Sequence, residues 1–233
     1  ILDETMSEIN GLNLYMYCKD NPVMYVDPSG NMPRWAKWLI GGMVILGLAV
    51  GAFFGGHILG VIFGAAFYGA VSNAVGGAIV GGIIGCITDG LSGFIDGTTN
   101  GFMWGAISGG VIGALTSGIN IAFGGLKIIG SAQKTGNAFH RFLSNVHAGK
   151  FAMQIGRYSE IGLNSKLKTV GLTGGSRPDV VAIARVGNNK LIEVVSKTQT
   201  ILSQEKKIGM MIANNPGTTG KVISWIFQNW FYF

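Results

Sequence analysis

The chain has 233 residues and a formal net charge of +6, with 48% hydrophobic and only 12% charged residues. That length allows one or two domains with cores of their own. The two cysteines, Cys18 and Cys86, have no second Cys or His around them at metal-ligand spacing, so the sequence supports neither a disulfide framework nor a cysteine-bound zinc site.

Charge is distributed unevenly along the chain. Residues 38–126 contain two acids, Asp89 and Asp96, and no Lys or Arg. Residues 127–233 contain 14 of the 17 Lys and Arg residues but only four of the 11 acids, and 14 minus four gives this segment a net charge of +10. A basic domain of this kind is typical of proteins that bind nucleic acid.

Residues 1–31 predict short strands separated by turns. Apolar residues alternate with polar or aromatic neighbours, as in a strand, at Leu12, Leu14 and Met16. Asn21-Pro22 and Asp27-Pro28 have the composition of turns.

The run GLNLYMYCKDNPVMYVDPSG resembles the end of the conserved core of Rhs/YD-repeat proteins, whose usual form is close to GLYxYxxNxPxxxxDPxG. In that family the repeats build a large β-cocoon, and the DPxG element marks the boundary beyond which a variable toxin is attached. Many members cut themselves near this point; here Asn31 follows DPSG, where a Leu is common in the self-cleaving members. The resemblance implies the C-terminal end of a polymorphic toxin, secreted or delivered into a target cell, with the upstream Rhs cocoon and a cognate immunity protein as partners.

Residues 32–130 are apolar and rich in glycine, which recurs about every four residues, as in Gly47-Gly51-Gly55 and Gly77-Gly81-Gly85. Small residues four apart lie on one helix face and allow two helices to pack closely. The uncharged runs within 38–126 are long enough to cross a bilayer, which takes about 20 residues. Two interpretations remain open. The segment either inserts into a target membrane as helical hairpins or packs as an apolar plug inside the upstream cocoon.

Residues 131–233 predict an α+β domain with the order helix, strand, strand, strand, helix, strand (αβββαβ). Apolar spacing predicts the first helix over about 137–155, capped by Thr135 or Asn137. Alternation and turn residues predict strands over Tyr158–Val170, Asp179–Val186, Lys190–Ser196 and Lys221–Phe227. The second helix is predicted over Ser203–Asn214, ended by Asn215-Pro216-Gly217, with Glu205, Lys206 and Lys207 on its solvated face.

Two of the four acids in the last segment fall on neighbouring predicted strands. Glu193 lies within the apolar run Leu191–Val195, where a carboxylate is costly unless it is paired or binds metal. Asp179 opens the preceding strand, and a tight hairpin would bring both carboxylates to one face. A divalent cation removes the repulsion between two such groups, and Mg²⁺ favours few protein carboxylates together with water and phosphate. The alternatives are a strand-start cap for Asp179 and a buried ion pair of Glu193 with Arg177 or Lys197.

Side-chain alternation places Lys197 and Gln199 on the same strand face as Glu193, where Lys197 would polarise a phosphate or help to deprotonate water. The segments Arg177-Pro178-Asp179 and Glu193-Val194-Val195-Ser196-Lys197 resemble the PD-(D/E)XK nuclease superfamily, whose restriction-endonuclease-like core has the same αβββαβ order. The resemblance implies that Asp179 and Glu193 bind Mg²⁺ or Mn²⁺ and that Glu160 is a more upstream acid. The superfamily pattern places Lys two residues after the second acid; here that position is Val195, and Lys197 is two positions further on.

Together these patterns predict a metal-dependent nuclease toxin at 131–233, with DNA as the first substrate and tRNA or other RNA as the second. His140 and His147, seven residues apart on one helix face, allow a metal-independent RNase as an alternative. The rival functions are a membrane-active or pore-forming toxin that acts through the Gly-rich segment, and a non-catalytic nucleic-acid-binding module.

Overall fold

The computed structural model describes residues 32–132, 138–196 and 199–224. The predicted strands of residues 1–31, the cap at Thr135 or Asn137, Lys197 and all residues after 224 therefore lie outside the described part. The chain divides into two compact units, residues 1–36 and residues 37–233. The sheet and nearly all of the helical structure belong to the second unit.

Two long helices precede the sheet. Helix α1 is Arg34–Phe54 and helix α2 is His57–Ala122. The backbone of α2 leaves the helical range at Asp89 (φ −143°, ψ 21°) and at Gly90 (φ 61°, ψ −141°), a conformation that glycine adopts without steric cost. The chain reverses there, so α2 is a helical hairpin with arms of residues 57–89 and 90–122.

Glycines at four-residue spacing line the contact between the two arms. The facing pairs, in which an added Cβ would overlap a carbonyl oxygen of the opposite arm, are Gly77 with Gly101, Gly81 with Gly97, and Gly85 with Gly93. Helices approach this closely only where their contact ridge carries no side chains. The structure therefore confirms that Gly77-Gly81-Gly85 forms a helix-contact face.

A five-stranded mixed sheet follows the hairpin. Its strands are β1 Lys127–Gly130, β2 Tyr158–Leu163, β3 Val180–Ala184, β4 Asn189–Val194 and β5 Thr218–Ile223, and they lie side by side in chain order. The pairs β1–β2 and β4–β5 are parallel, whereas β2–β3 and β3–β4 are antiparallel. Helix α3 is Ala138–Ala152, helix α4 is Ile201–Ala213, and a 3₁₀ helix covers Leu167–Val170.

Both faces of the sheet are covered, because successive side chains of each strand point to opposite faces. On one face Ile192 and Val194 of β4 pack with α3 and with Val61 from the first arm of α2. On the other face Leu191 packs with Ile208 of α4. The hairpin, α3 and the sheet thus share one core, and α4 closes the far side.

The α+β class and the order αβββαβ over residues 138–223 agree with the sequence prediction. Three details differ. The sheet has an additional strand, β1, which comes from the end of the Gly-rich segment. Strand β2 ends at Leu163 rather than Val170, because Asn164 adopts a positive φ of 47° and a 3₁₀ helix follows. Strand β5 begins at Thr218, three residues before the predicted start.

Candidate active site

The adjoining ends of β3 and β4 bring two acidic side chains together. Val180 pairs with Ile192, so Asp179, one residue before Val180, lies opposite Glu193. The backbone N–H of Val194 donates to Asp179 Oδ2 over 2.8 Å, and Asp179 is close enough to Glu193 to raise the pKa of its carboxyl group. Their relative exposures are only 9% and 2%. The two residues predicted as metal ligands therefore form one buried pair.

Burial and the neighbouring carboxylate act on Glu193 in the same direction. Burial first, and then the charge of Asp179, raises the pKa of Glu193 to about 7, against the opposing effect of Lys207. Two acids this close resist carrying two negative charges, so near neutral pH Glu193 retains a proton for part of the time. A divalent cation that displaces this proton would remove the repulsion.

A lysine from α4 lies against the pair. Lys207 Nζ is 2.7 Å from Glu193 Oε1, and it also donates to the backbone carbonyl of Arg177 over 3.3 Å. The Lys207 side chain is 36% exposed, against 3% for Glu193, so its ammonium lies between the buried carboxyl and solvent. The ion-pair partner of Glu193 is therefore Lys207. The sequence alone predicts Arg177 or Lys197 as this partner and places Lys207 on a solvated face.

His140 of α3 contacts the pair from the opposite helix layer. Its Nε2 lies 3.2 Å from Asp179 Oδ2 and 3.1 Å from the carbonyl oxygen of Val194. Both neighbours are acceptors, so Nε2 carries a proton. The hydrogen bond with Asp179 raises the pKa of His140, although burial acts against it. His140 thus fixes the orientation of the Asp179 carboxylate.

The other predicted site residues lie elsewhere. Glu160 on β2 is opposite Ile183, four residues from Asp179 along β3, which is about 13 Å of strand. Gln199 is exposed and closes a local turn: its Oε1 accepts from the Ser196 N–H over 3.2 Å, and its own N–H donates to Ser196 O over 3.0 Å. The position of Lys197 falls outside the described residues.

His147 does not share the environment of His140. Burial, followed by the charges of Lys150 and Lys221, lowers the pKa of His147 to about 4. A general acid or base works best with a pKa near the working pH. The two histidines therefore do not form a matched acid–base pair, which weakens the metal-independent alternative.

The donor set suits a small hard cation such as Mg²⁺. Within residues 32–132, 138–196 and 199–224, no group of three or more His, Cys, Asp or Glu side chains is arranged to hold a metal, so these residues would offer the two carboxylates. Mg²⁺ is commonly held by one or two carboxylates together with water and phosphate. Gln204, one turn before Lys207 on α4, is buried, and its Oε1 has no hydrogen-bond partner among the described residues. This oxygen is an acceptor that a bound water can satisfy.

A basic surface adjoins the carboxylate pair. The N–H of Leu167 in the 3₁₀ helix donates to Ser176 O over 3.0 Å, which ties that helix to the segment leading into Asp179. Lys166, Lys168 and Arg177 are exposed on these two tied segments.

Comparison with known protein families, with characterised proteins and with solved structures finds no match for this chain.

Proposed function

We propose that the sheet domain is a metal-dependent nuclease with a restriction-endonuclease-like core. The observation that carries this proposal is the buried pair of Asp179 and Glu193, held opposite each other at the ends of two antiparallel strands, with the Lys207 ammonium 2.7 Å from Glu193. The αβββαβ order, with β5 parallel to β4 across α4, supports the same fold family.

Asp179 and Glu193 would hold Mg²⁺ or Mn²⁺, which when bound supplies a Lewis acid for the scissile phosphate. His140 keeps Asp179 oriented through the 3.2 Å contact from Nε2 to Oδ2. Lys207 takes the part that the sequence suggested for Lys197: its ammonium is close enough to Glu193 to reach a phosphate oxygen bound at the same place.

Nucleic acid is the substrate that the charge favours. The segment 127–233 carries a net charge of +10, and Lys166, Lys168 and Arg177 lie exposed on segments adjoining the pair. Basic side chains beside a catalytic centre bind the phosphate backbone without regard to sequence. We place DNA first and tRNA or other RNA second.

The DPSG boundary supports a role as the toxic end of an Rhs-type carrier, secreted or delivered into a target cell and kept inactive in the producer by a cognate immunity protein. Upstream repeats would form the cocoon that houses the toxin before delivery. This part of the proposal depends on the resemblance of residues 11–30 alone.

The experiment is an incubation of the full chain with plasmid DNA and with total tRNA, each with Mg²⁺ or with EDTA. Glu193→Gln removes the buried acid, and Glu205→Gln makes the same change at an exposed site on α4. We expect cleavage that requires Mg²⁺, falls at least about 100-fold in Glu193→Gln and persists in Glu205→Gln. Equal cleavage by both variants would show that Glu193 is not part of the catalytic site. Tight binding without cleavage would identify a non-catalytic nucleic-acid-binding module.

A further inference from the structure

The helices that precede the sheet expose a large apolar surface. Both α1 and α2 are long and apolar enough to cross a membrane, by length and composition. In the most apolar 18-residue stretch of each helix, only 11% of α1 and 17% of α2 is buried. A core helix of a soluble domain would have most of such a stretch buried. These helices therefore need a different apolar environment.

The exposed apolar side chains lie on the outside of the hairpin, since its inner faces are occupied by the glycine ridge. On the arms beside the bend they include Val75, Ile79, Ile83, Ile87, Leu91 and Phe94, each at least 44% exposed. Contiguous apolar patches of this kind mark a membrane or an interaction site. Val80 and Ile84 are also exposed, on a second face of the first arm, so a surrounding apolar solvent fits better than a partner that covers one face.

The free length of the hairpin matches a bilayer. Twenty residues from the bend lead to Ala70 on one arm and Gly109 on the other, which is about 30 Å and equals the thickness of the hydrocarbon core. Contacts with α3 begin just beyond Ala70, where the Lys150 ammonium lies 5.1 Å from the centre of the Tyr68 ring. Between residues 70 and 109 the only ionisable acids are Asp89, at the bend, and Asp96.

Basic side chains flank the sheet end of the hairpin. Arg185 donates from Nη2 to the carbonyl oxygen of Gly124, just past the second arm, over 2.7 Å. Lys150 stands beside the first arm. Lys150, beside Tyr68, lies at the edge of the hydrocarbon and faces the phosphates of an anionic bilayer when the apolar arms are in hydrocarbon, whereas Arg185 lies about 20 Å further from the bend, with the rest of the basic sheet domain.

We propose that the α2 hairpin inserts bend-first into an anionic lipid bilayer and that Lys150, with the net charge of +10 on residues 127–233, holds the sheet domain at the lipid surface. Helix α1 packs along the second arm, where the rings of Trp38 and Phe102 are 4.3 Å apart, and it enters with the hairpin. The first turn of α1 carries two basic side chains, Arg34 and Lys37, whose long stems extend their charges towards an interface. This inference does not depend on the proposed nuclease activity.

The test uses Cys86, which is exposed and lies three residues before the bend. In the full chain with Cys18→Ser, Cys86 is the single cysteine and takes an environment-sensitive fluorophore. We expect a blue shift on addition of vesicles of phosphatidylcholine with phosphatidylglycerol, quenching by nitroxide-labelled lipid, and protection from aqueous iodide.

A matched pair of variants separates insertion from surface adsorption. Ile79 is 58% exposed and ten residues from the bend, about 15 Å and so near the bilayer centre. An Asp there opposes insertion by about 3 kcal/mol, so Ile79→Asp should lower the inserted fraction about 100-fold. Leu202→Asp makes the same kind of change at a 76% exposed position on α4 and should leave insertion unchanged.

Three outcomes would overturn the proposal. In the first, iodide still quenches the label when vesicles are present. In the second, Ile79→Asp and Leu202→Asp bind vesicles equally. Either result would indicate adsorption through the basic domain alone. If the label were shielded from iodide in the absence of lipid, and the shielding increased with protein concentration, a second copy of the chain would cover the apolar surface instead.

Discussion

The raised pKa of Glu193 makes the stability of the sheet depend on pH, and Glu193→Gln should remove that dependence. Glu titrates near 4.5 in a reference setting and at about 7 here, so the folded protein binds more protons than the unfolded chain between these values. The stability that this group contributes is fully present below pH 4.5 and is lost as the pH rises through 7. A difference of about 2.5 pKa units corresponds to about 3 kcal/mol.

The Glu193 side chain is only 3% exposed, so solvent screening reduces this figure little. The Glu193→Gln variant is neutral at every pH. We expect its free energy of unfolding to increase, relative to that of the wild type, by about 2–3 kcal/mol between pH 5 and pH 8.5.

The assay is urea denaturation of the full chain in one mild detergent, with Glu205→Gln as the control that should follow the wild type. The difference in unfolding free energy between Glu193→Gln and the wild type could instead stay constant across this pH range. That result would refute the assignment of Glu193 as a buried acid that keeps its proton. A variant that became relatively less stable at high pH would show that the ion pair with Lys207 outweighs burial.

Two further predictions concern the lysine and the glycine ridge. Lys207→Gln removes the positive charge that counteracts the effect of burial on Glu193. The pKa of Glu193 should therefore rise above 7 in an NMR titration, and Mg²⁺-dependent cleavage should fall. An unchanged pKa would contradict the 2.7 Å ion pair. Gly81→Val places a side chain against the Gly97 carbonyl oxygen. It should destabilise the hairpin by about 1–3 kcal/mol or more. Thermal loss of the helical circular dichroism signal measures this change. Gly76→Val meets no atom within 4 Å and is the control, so equal losses from the two changes would argue against close packing of the arms.

The sequence was sufficient for the order of elements in the sheet domain, because each signal for it is local. The apolar spacing around Phe142 and Val146 defines α3, and the Asn215-Pro216-Gly217 stop defines the end of α4. The register of Asp179 with Glu193 also followed from local pattern, since a short hairpin connects the two strands. Strand β1 was missed because Lys127–Gly130 is four residues long and follows a glycine-rich helix without a change in alternation.

The partners of the acid pair could not be predicted, because they come from distant parts of the chain. His140 lies 39 residues before Asp179, and helical spacing shows which face it occupies but not which strand end that face meets. Lys207 follows Glu205 and Lys206, which do point to solvent, and only the packing of α4 on the sheet brings it to Glu193. For Glu160 the sequence indicated a carboxylate on a strand, but the β2–β3 register places it far from the pair.

The central claim is that Asp179 and Glu193 hold a divalent cation, and calorimetric titration of the full chain with Mn²⁺ at pH 6.5 tests it most directly. With its pKa raised to about 7, Glu193 is largely protonated at that pH, so binding should release protons, measured by comparing buffers of different ionisation enthalpy. Asp179→Asn should abolish binding, whereas Glu205→Gln should bind and release protons as the wild type does. Binding that survives Asp179→Asn, or that releases no proton, would contradict the claim.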